Sequence, residues 1–284
     1  MESFKTMPGQ LTPDEVDASL LVVQDAFRAV RPLIVERAGK ARFVNKHDGS
    51  PLTDDDVAVE KRVIAALRSH SPGVPVFGEE SGYDENVTGT FWLIDPIDGT
   101  KSFVENVPAY TSMAVLIQGG EAVASVIYNQ SRGDMYVAQK GRGAYKNEVR
   151  LDLRTKPLPK VAYCKEQFIG VLNRLLESKG VVCESGPAGG GYGFTMVAGG
   201  RAAARFNLLG RGHIHDYAPG ALLVREAGGI ILPVQDGAYT YKTRSFIACH
   251  PDLEATLRPH VQKLRALELE LAGKSSRITF STAP

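Results

Sequence analysis

The sequence predicts a mixed α/β protein built in layers. Three observations predict it: two capped amphipathic helices open the chain, short β-rich runs separated by hairpin glycines follow, and strands and helices then alternate.

The first helix starts at Thr12 as N-cap, with Pro13 at its first position and Glu15 three residues on to complete a capping box. Val16, Leu20, Val23, Phe27 and Val30 recur behind it at helical spacing. Thr53 and Asp56 repeat the start signal, and Val57, Val63, Ile64 and Leu67 carry a second helix to Ser71-Pro72. Strands are expected over 74–77, 91–94, 111–117, 122–128 and 134–138, with Gly119-Gly120 and Arg132-Gly133 as hairpin turns, giving an antiparallel or mixed sheet. The polar stretch 153–160, with Pro157 and Pro159, is the expected joint between an N-terminal α+β half, 1–153, and a C-terminal α/β half, 154–284. In the second half, strands over 161–164, 181–184, 203–208, 229–233 and 246–249 alternate with helices over 168–176, 192–197 and 217–227. A charged amphipathic helix covers 253–271, and 274–284 reads as a loose tail.

Composition narrows the class. With 43% hydrophobic and 23% charged residues over 284 positions, the chain can bury a large core. A net charge of +1 provides no global field for nucleic acid or an anionic membrane, so any polyanion must be bound by a local site. Cys164, Cys183 and Cys249 are odd in number and lack CxxC spacing, which argues against a disulfide framework or a zinc cluster and for reduced, cytoplasmic thiols. The opening residues lack a basic-then-apolar pattern, and no apolar run reaches about 18 residues, so neither export nor membrane insertion is expected.

The most informative segment is Trp92-Leu93-Ile94-Asp95-Pro96-Ile97-Asp98-Gly99-Thr100-Lys101-Ser102-Phe103. An apolar strand delivers two carboxylates, a glycine and a hydroxyl to one turn. Pro96, with no N–H, is expected to stop the ladder there. Carboxylate pairs suit hard divalent cations, while Gly99 and a helix opening at Thr100 present N–H groups to a phosphate. Glu79, in Gly78-Glu79-Glu80-Ser81, follows the preceding strand and can face this turn as a third carboxylate. Asp216, in His213-Ile214-His215-Asp216, lies near a helix N-terminus, where an acid is favoured. A rival reading makes His213 and His215 zinc ligands, but no HExxH or second His-x-His set accompanies them.

Taken in this order, Gly78 to Ser81, Trp92 to Phe103, and Asp216 ahead of Ala218-Pro219-Gly220-Ala221 and Glu226-Ala227-Gly228-Gly229 resemble the inositol monophosphatase family of magnesium-dependent, lithium-sensitive phosphatases. Lys46 ahead of Ser50-Pro51-Leu52-Thr53, with Asp56 and Glu60 beyond, is similar to that family's lysine loop and TxxD stretch. The resemblance covers roughly residues 12 to 265 and implies an αβαβα layered sandwich, often a homodimer.

It also implies roles. Glu79, Asp95 and the Ile97 carbonyl would hold one magnesium, and Asp95, Asp98 and Asp216 a second; a third, weaker ion would lie on the Glu79 side, so two to three Mg2+ are expected. The Thr100 hydroxyl with Asp56 would orient the attacking water, and the Gly99 and Thr100 N–H groups would bind phosphate. Paired ions about 3.5–4 Å apart can stabilise both the attacking and the leaving oxygen of a phosphate monoester.

Departures from the family fall on the substrate side. The stretch 184–193, containing Ser185 and Gly186, is richer in glycine than the family's sugar-contacting turn and leaves more room for a leaving group. Asn207 replaces an acidic residue that touches an inositol hydroxyl, the loop from there to Asp216 is about two residues longer, and His215 stands where an aromatic is usual. The expected activity is hydrolysis of a small polyol or sugar phosphate, with inositol 1-phosphate the first choice. Histidinol phosphate, fructose 1,6-bisphosphate and 3′-phosphoadenosine 5′-phosphate are alternatives. Some bacterial proteins resembling this family associate with the transcription apparatus, so the alternative of a second class is a binding role, through protein or RNA contacts, with phosphatase activity secondary to it.

Overall fold

The computed structural model describes residues 9–46, 49–186, 189–210 and 212–278. It opens with α1 (Pro13–Arg37), where Thr12 and Glu15 close the expected capping box. A small antiparallel hairpin, β1 (Phe43–Asn45) with β2 (Pro51–Thr53), then leads into α2 (Asp54–His70), capped reciprocally by Thr53 and Asp56. Next come β3 (Val76–Gly78), β4 (Phe91–Asp98), the short α3 (Thr100–Val104), β5 (Thr111–Gln118), β6 (Glu121–Asn129), β7 (Asp134–Gln139), β8 (Gly143–Lys146) and β9 (Val149–Leu151). These strands form one seven-stranded sheet in chain order, with β3 parallel to β4 and every later pairing antiparallel.

The β8–β9 hairpin is additional to the sequence expectation. Its turn, Asn147-Glu148, has positive φ at both residues, as a type I′ hairpin requires, but it lacks the glycine that usually signals one.

The rest of the chain runs β10 (Val161–Cys164), α4 (Ile169–Leu176), β11 (Val182–Ser185), α5 (Gly190–Ala198), β12 (Ala204–Asn207), α6 (Ile214–Glu226), β13 (Ile230–Pro233), β14 (Phe246–Cys249), α7 (Glu254–Leu257) and α8 (Val261–Ile278). Its strands make a five-stranded mixed sheet in the order β11-β10-β12-β14-β13. The single helix expected over 253–271 is divided, because Pro259 lies in a tight 3-10 turn, Arg258–His260, between α7 and α8. Residues 274–278 of the expected tail are helical, and 279–284 lie outside the described residues.

Side-chain alternation along β4 shows how the layers stack. Trp92 and Ile94 face a core shared with Val23, Phe27 and Val30 of α1 and Val59 and Val63 of α2. Phe91 and Leu93 face the opposite core, shared with Phe194 of α5, Leu222 and Leu223 of α6, and Phe246 of β14. A third core joins the five-stranded sheet to Leu172 and Leu176 of α4, Leu257 of α7 and Leu264 of α8. The layers are therefore α1/α2, the seven-stranded sheet, α5/α6, the five-stranded sheet, and α4/α7/α8: the expected αβαβα sandwich. A strand covered on both faces reads as a continuous apolar run, and every residue from Phe91 to Asp98 is buried. Cys164, Cys183 and Cys249 are free and buried. Among the described residues no helix is long and apolar enough to cross a membrane.

The middle α-layer positions the site, and it is tight. A Cβ at Gly220 of α6 would come within 2.0 Å of Phe194 in α5, whose ring stacks on Phe246 at 5.9 Å. Gly220→Ala must push α5 and α6 apart, an overpacking change that costs about 1–3 kcal/mol. Its melting temperature is expected to fall by several degrees. A melt identical to wild type would show that the α5–α6 contact tolerates a methyl group.

Candidate active site

The site is assembled where β4 ends. Asp95 pairs with Met113 and Asp98 with Thr111, so three steps along β4 oppose two along β5, the arrangement of a β-bulge. Simple alternation would turn Asp95 and Asp98 to opposite faces of the sheet. The extra residue turns both toward α5 and α6. Pro96 does not end the ladder as expected: it sits in the bulge, where no N–H is required, and its carbonyl accepts from the Ser112 hydroxyl at 2.6 Å.

Three of the four carboxylates have their own support. Asp98 accepts from the Gly190 and Gly191 N–H groups, both at 2.8 Å, and from Thr111 Oγ1 at 3.0 Å. The glycine run thus does a job that the sequence reading did not assign to it. A Cβ at Gly191 would lie 2.3 Å from Thr111 Oγ1, so the backbone can approach Asp98 only if that position is glycine. Asp216 is the third residue of α6 and accepts from the His213 N–H that precedes the helix. Glu79 follows β3, its N–H bonded to the Ile94 carbonyl at 3.0 Å, and Glu60 of α2 holds the next two N–H groups, of Glu80 and Ser81. Asp95 differs from all of these. It is 1% exposed, and neither of its oxygens has a hydrogen-bond partner among the described residues.

Two triads result. One ligand atom each from Glu79, Asp95 and His215 lie within 4.8 Å of one another, as do one each from Asp95, Asp98 and Asp216, so Asp95 belongs to both. Burial pushes its pKa well up, and Glu79, Asp98 and Asp216 push in the same direction. Asp98 rises to about 6 through burial and the Asp216 charge, against the two glycine N–H groups. Asp216 also rises to about 6 through burial, with Glu79 adding and the His213 N–H opposing. Buried carboxylates that repel each other, one of them with no donor at all, have the donor set of a hard-cation site.

Thr100, Asp56, Gly99 and Lys46 lie around this cluster. Thr100 Oγ1 donates to the Ile97 carbonyl at 2.9 Å and lies 3.3 Å from Asp56 Oδ1. Asp56 is pushed to about 6 by burial, opposed by its bonds from Thr53. Gly99, with φ of 81°, turns the chain into α3. Lys46 Nζ donates to Glu79 at 2.6 Å and to Glu80 at 2.8 Å. Burial works against its charge, but the two carboxylates outweigh that and raise its pKa. Glu80 is pushed to about 7 by burial, against the bond from Lys46. His47 and Asp48, beside Lys46, lie outside the described residues, as do Pro187 and Ala188 of the glycine-rich stretch.

A cleft of about 390 Å3 opens over the cluster, lined by Glu79, Asp95, Asp98, Thr100, Asn207 and Asp216 among others. Asn207 reaches it with its Nδ2 bonded to the Arg244 carbonyl at 2.6 Å. Ser185 ends β11 and Gly186 packs beside Tyr163, and neither lines this cleft. Arg205, which does line it, was missed in the sequence. Its guanidinium lies over the Phe194 ring at 5.2 Å, and nothing in the pattern of β12 marks it as different from a surface arginine.

A family model for the inositol monophosphatase family matches residues 15–266. The chain belongs to that family. Its members are magnesium-dependent phosphatases, and this chain is accordingly a phosphoric monoester hydrolase. The inositol-1-monophosphatase of Mesorhizobium japonicum is 30% identical over 255 residues, covering 86% of this chain and 95% of its own. Nus factor SuhB of Escherichia coli is 32% identical over 213 residues, 70% of this chain and 78% of its own. The histidinol-phosphatase of Mycobacterium tuberculosis is 40% identical over 104 residues, 37% of this chain and 40% of its own. Among solved structures, an inositol monophosphatase of Thermotoga maritima has a TM-score of 0.74 at 21% identity, over 90% of this chain and 98% of its own, which is a likeness of fold.

The raised pKa values make metal-free stability depend on pH in a definite direction. Asp56, Asp98, Asp216 and Glu80 hold protons in the folded protein at pH values where the unfolded chain, with carboxyl pKa values of about 4, has released them. Each therefore subtracts stability as pH rises from about 4 through about 6 to 7. His215, pushed by burial to about 4, acts in the opposite direction as a single group. In EDTA the melting temperature is expected to be higher at about pH 5 than at about pH 7.5, and Mg2+ should restore the loss at the higher pH. Asp95→Asn should melt above wild type in EDTA at about pH 7.5 and respond little to Mg2+. A metal-free melting temperature that climbs steadily over this range would contradict the electrostatic account.

Proposed function

We propose that the chain hydrolyses phosphate monoesters of small polyols and sugars, inositol 1-phosphate among them, with Mg2+ held by Glu79, Asp95, the Ile97 carbonyl, Asp98 and Asp216. The observation that carries this reading is the pair of ligand triads meeting at Asp95 on the floor of the cleft. Two ions fit two triads. When bound, magnesium supplies positive charge for the phosphate oxygens and lowers the pKa of water.

The chain's own residues supply position. Thr100 Oγ1, between Asp56 and the Ile97 carbonyl, can accept a hydrogen bond from a water and turn its lone pair toward phosphorus. Asp56, with a pKa of about 6, is suited to take part in proton movement near neutral pH. Gly99, Thr100 and Lys101, where the chain turns into α3, line the cleft, and N–H groups at such a turn suit the phosphate oxygens. The cleft volume falls within the roughly 300–1,000 Å3 of small-molecule sites. In the substrate region, Asn207 offers a neutral amide where a carboxylate would select strongly for one hydroxyl, which favours broad use of polyol and sugar phosphates.

Phosphate release should be measured with inositol 1-phosphate, histidinol phosphate, fructose 1,6-bisphosphate and 3′-phosphoadenosine 5′-phosphate, each with Mg2+ and with EDTA. Metal-dependent turnover of inositol 1-phosphate is expected, with only modest preference among the sugar and polyol esters. Strong selection for a single other ester would replace this substrate assignment. Thr100→Ala should lower kcat about 100-fold or more while KM changes little. A raised KM at unchanged kcat would move Thr100 from water positioning to substrate binding.

A further inference from the structure

His215 is the second residue of α6, immediately before Asp216, and is 3% exposed. Its Nε2 faces Glu79 Oε2 at 3.6 Å and Asp216 Oδ1 at 3.8 Å. Ligand bonds of about 2.0–2.1 Å leave neighbouring donors around one ion about 3 Å apart and opposite donors about 4 Å apart. One ring nitrogen of His215 and one oxygen each from Glu79 and Asp95, all within 4.8 Å of one another, come close to that arrangement. An independent observation comes from Asp95, a buried carboxylate whose two oxygens have no donor.

The other side of the imidazole is held in place. Nδ1 lies 3.3 Å from the Tyr83 hydroxyl, the Tyr83 ring meets the imidazole edge-on at 5.8 Å, and the His213 ring stacks on it at 5.4 Å. A hydrogen-bond partner on the second nitrogen is the usual means of orienting a metal-bound histidine. An apolar aromatic in this position would fill the same space without presenting a lone pair to the carboxylates.

We propose that His215 Nε2 is a ligand of the cation shared by Glu79 and Asp95, making this a mixed nitrogen–oxygen site that favours first-row transition ions such as Mn2+ and Co2+ over Mg2+. The inference rests on the metal-dependent reading above, because Glu79 and Asp95 must first hold a cation. The chemistry follows from ligand preference: Mg2+ takes oxygen donors and keeps its waters, whereas an imidazole adds affinity for the borderline ions. The second triad, Asp95, Asp98 and Asp216, offers only oxygen. The two positions therefore differ in the ion they select.

Mn2+ titrated into the metal-free full-length protein and followed by electron spin echo envelope modulation tests this directly. Coupling to a coordinated imidazole 14N is expected in the wild type and in His213→Ala, and is expected to vanish in His215→Phe. The Mn2+-to-Mg2+ affinity ratio, measured by calorimetry, should fall at least about tenfold in His215→Phe. Bound Mn2+ without 14N coupling in the wild type would overturn the assignment, whatever the folding of the variant. An unchanged affinity ratio in folded His215→Phe would do the same. A wild type that binds neither ion would overturn the metal-dependent reading along with it.

Discussion

Mutual repulsion among Glu79, Asp95, Asp98 and Asp216, the middle two of them buried, is the constraint around which the site is organised. Keeping Asp98 ionised at neutral pH costs roughly 3 kcal/mol relative to an exposed aspartate. That is a large fraction of the stability of an ordinary domain. The surrounding structure bears it through rigid supports drawn from distant segments. The β4 bulge aims two acids the same way, glycine N–H groups cradle one of them, Glu60 fixes the loop that carries Glu79, and the His213 N–H at the start of α6 holds Asp216.

The supports are themselves anchored in the most tightly packed part of the molecule. The middle α-layer is closed between two sheets, with Phe194 against Gly220 on one side and against Phe246 on the other. A shift of α5 would move the Gly190 and Gly191 N–H groups off Asp98, and a shift of α6 would move Asp216. Core packing and site geometry are thus one problem here. A cation held by these carboxylates would relieve the repulsion, and the rigid supports hold the donors in place for it, as a preorganised electrostatic site requires.

Much of this was legible in the sequence, for local reasons. Thr12 with Glu15 and Thr53 with Asp56 state two helix starts through side chains three residues apart, and both caps form as expected. The carboxylates were legible because an apolar run leading to Asp95-Pro96-Ile97-Asp98-Gly99-Thr100 has few other uses. What escaped were properties of contacts between distant segments. Pro96 reads as a ladder stop until β5 is seen pairing across it with one residue fewer. Gly190 and Gly191 read as empty space until Asp98, some ninety positions earlier, fills it. Thr111 and Arg205 carry no local signal, since a threonine at the start of a strand and an arginine in a strand are both ordinary. Asn147-Glu148 turns a hairpin with two left-handed residues and no glycine, which tertiary pairing permits and propensity does not announce.

The chain-order pairing of the seven-stranded sheet has a consequence for how the protein is made. From β4 through β9 each strand pairs with its successor, so most of that sheet rests on contacts close in sequence. The five-stranded sheet instead places β12 between β10 and β14 and must wait for long connections to close. Contact-order reasoning puts the meander first in folding and the mixed sheet later. Asp95 and Asp98 belong to the early unit, while Asp216 and the Gly190–Gly191 cradle come from the later segments. A nascent chain would thus hold an incomplete set of carboxylates until α5 and α6 dock, and the growing polypeptide acquires its full charge cluster only when the layers that confine it are already closing.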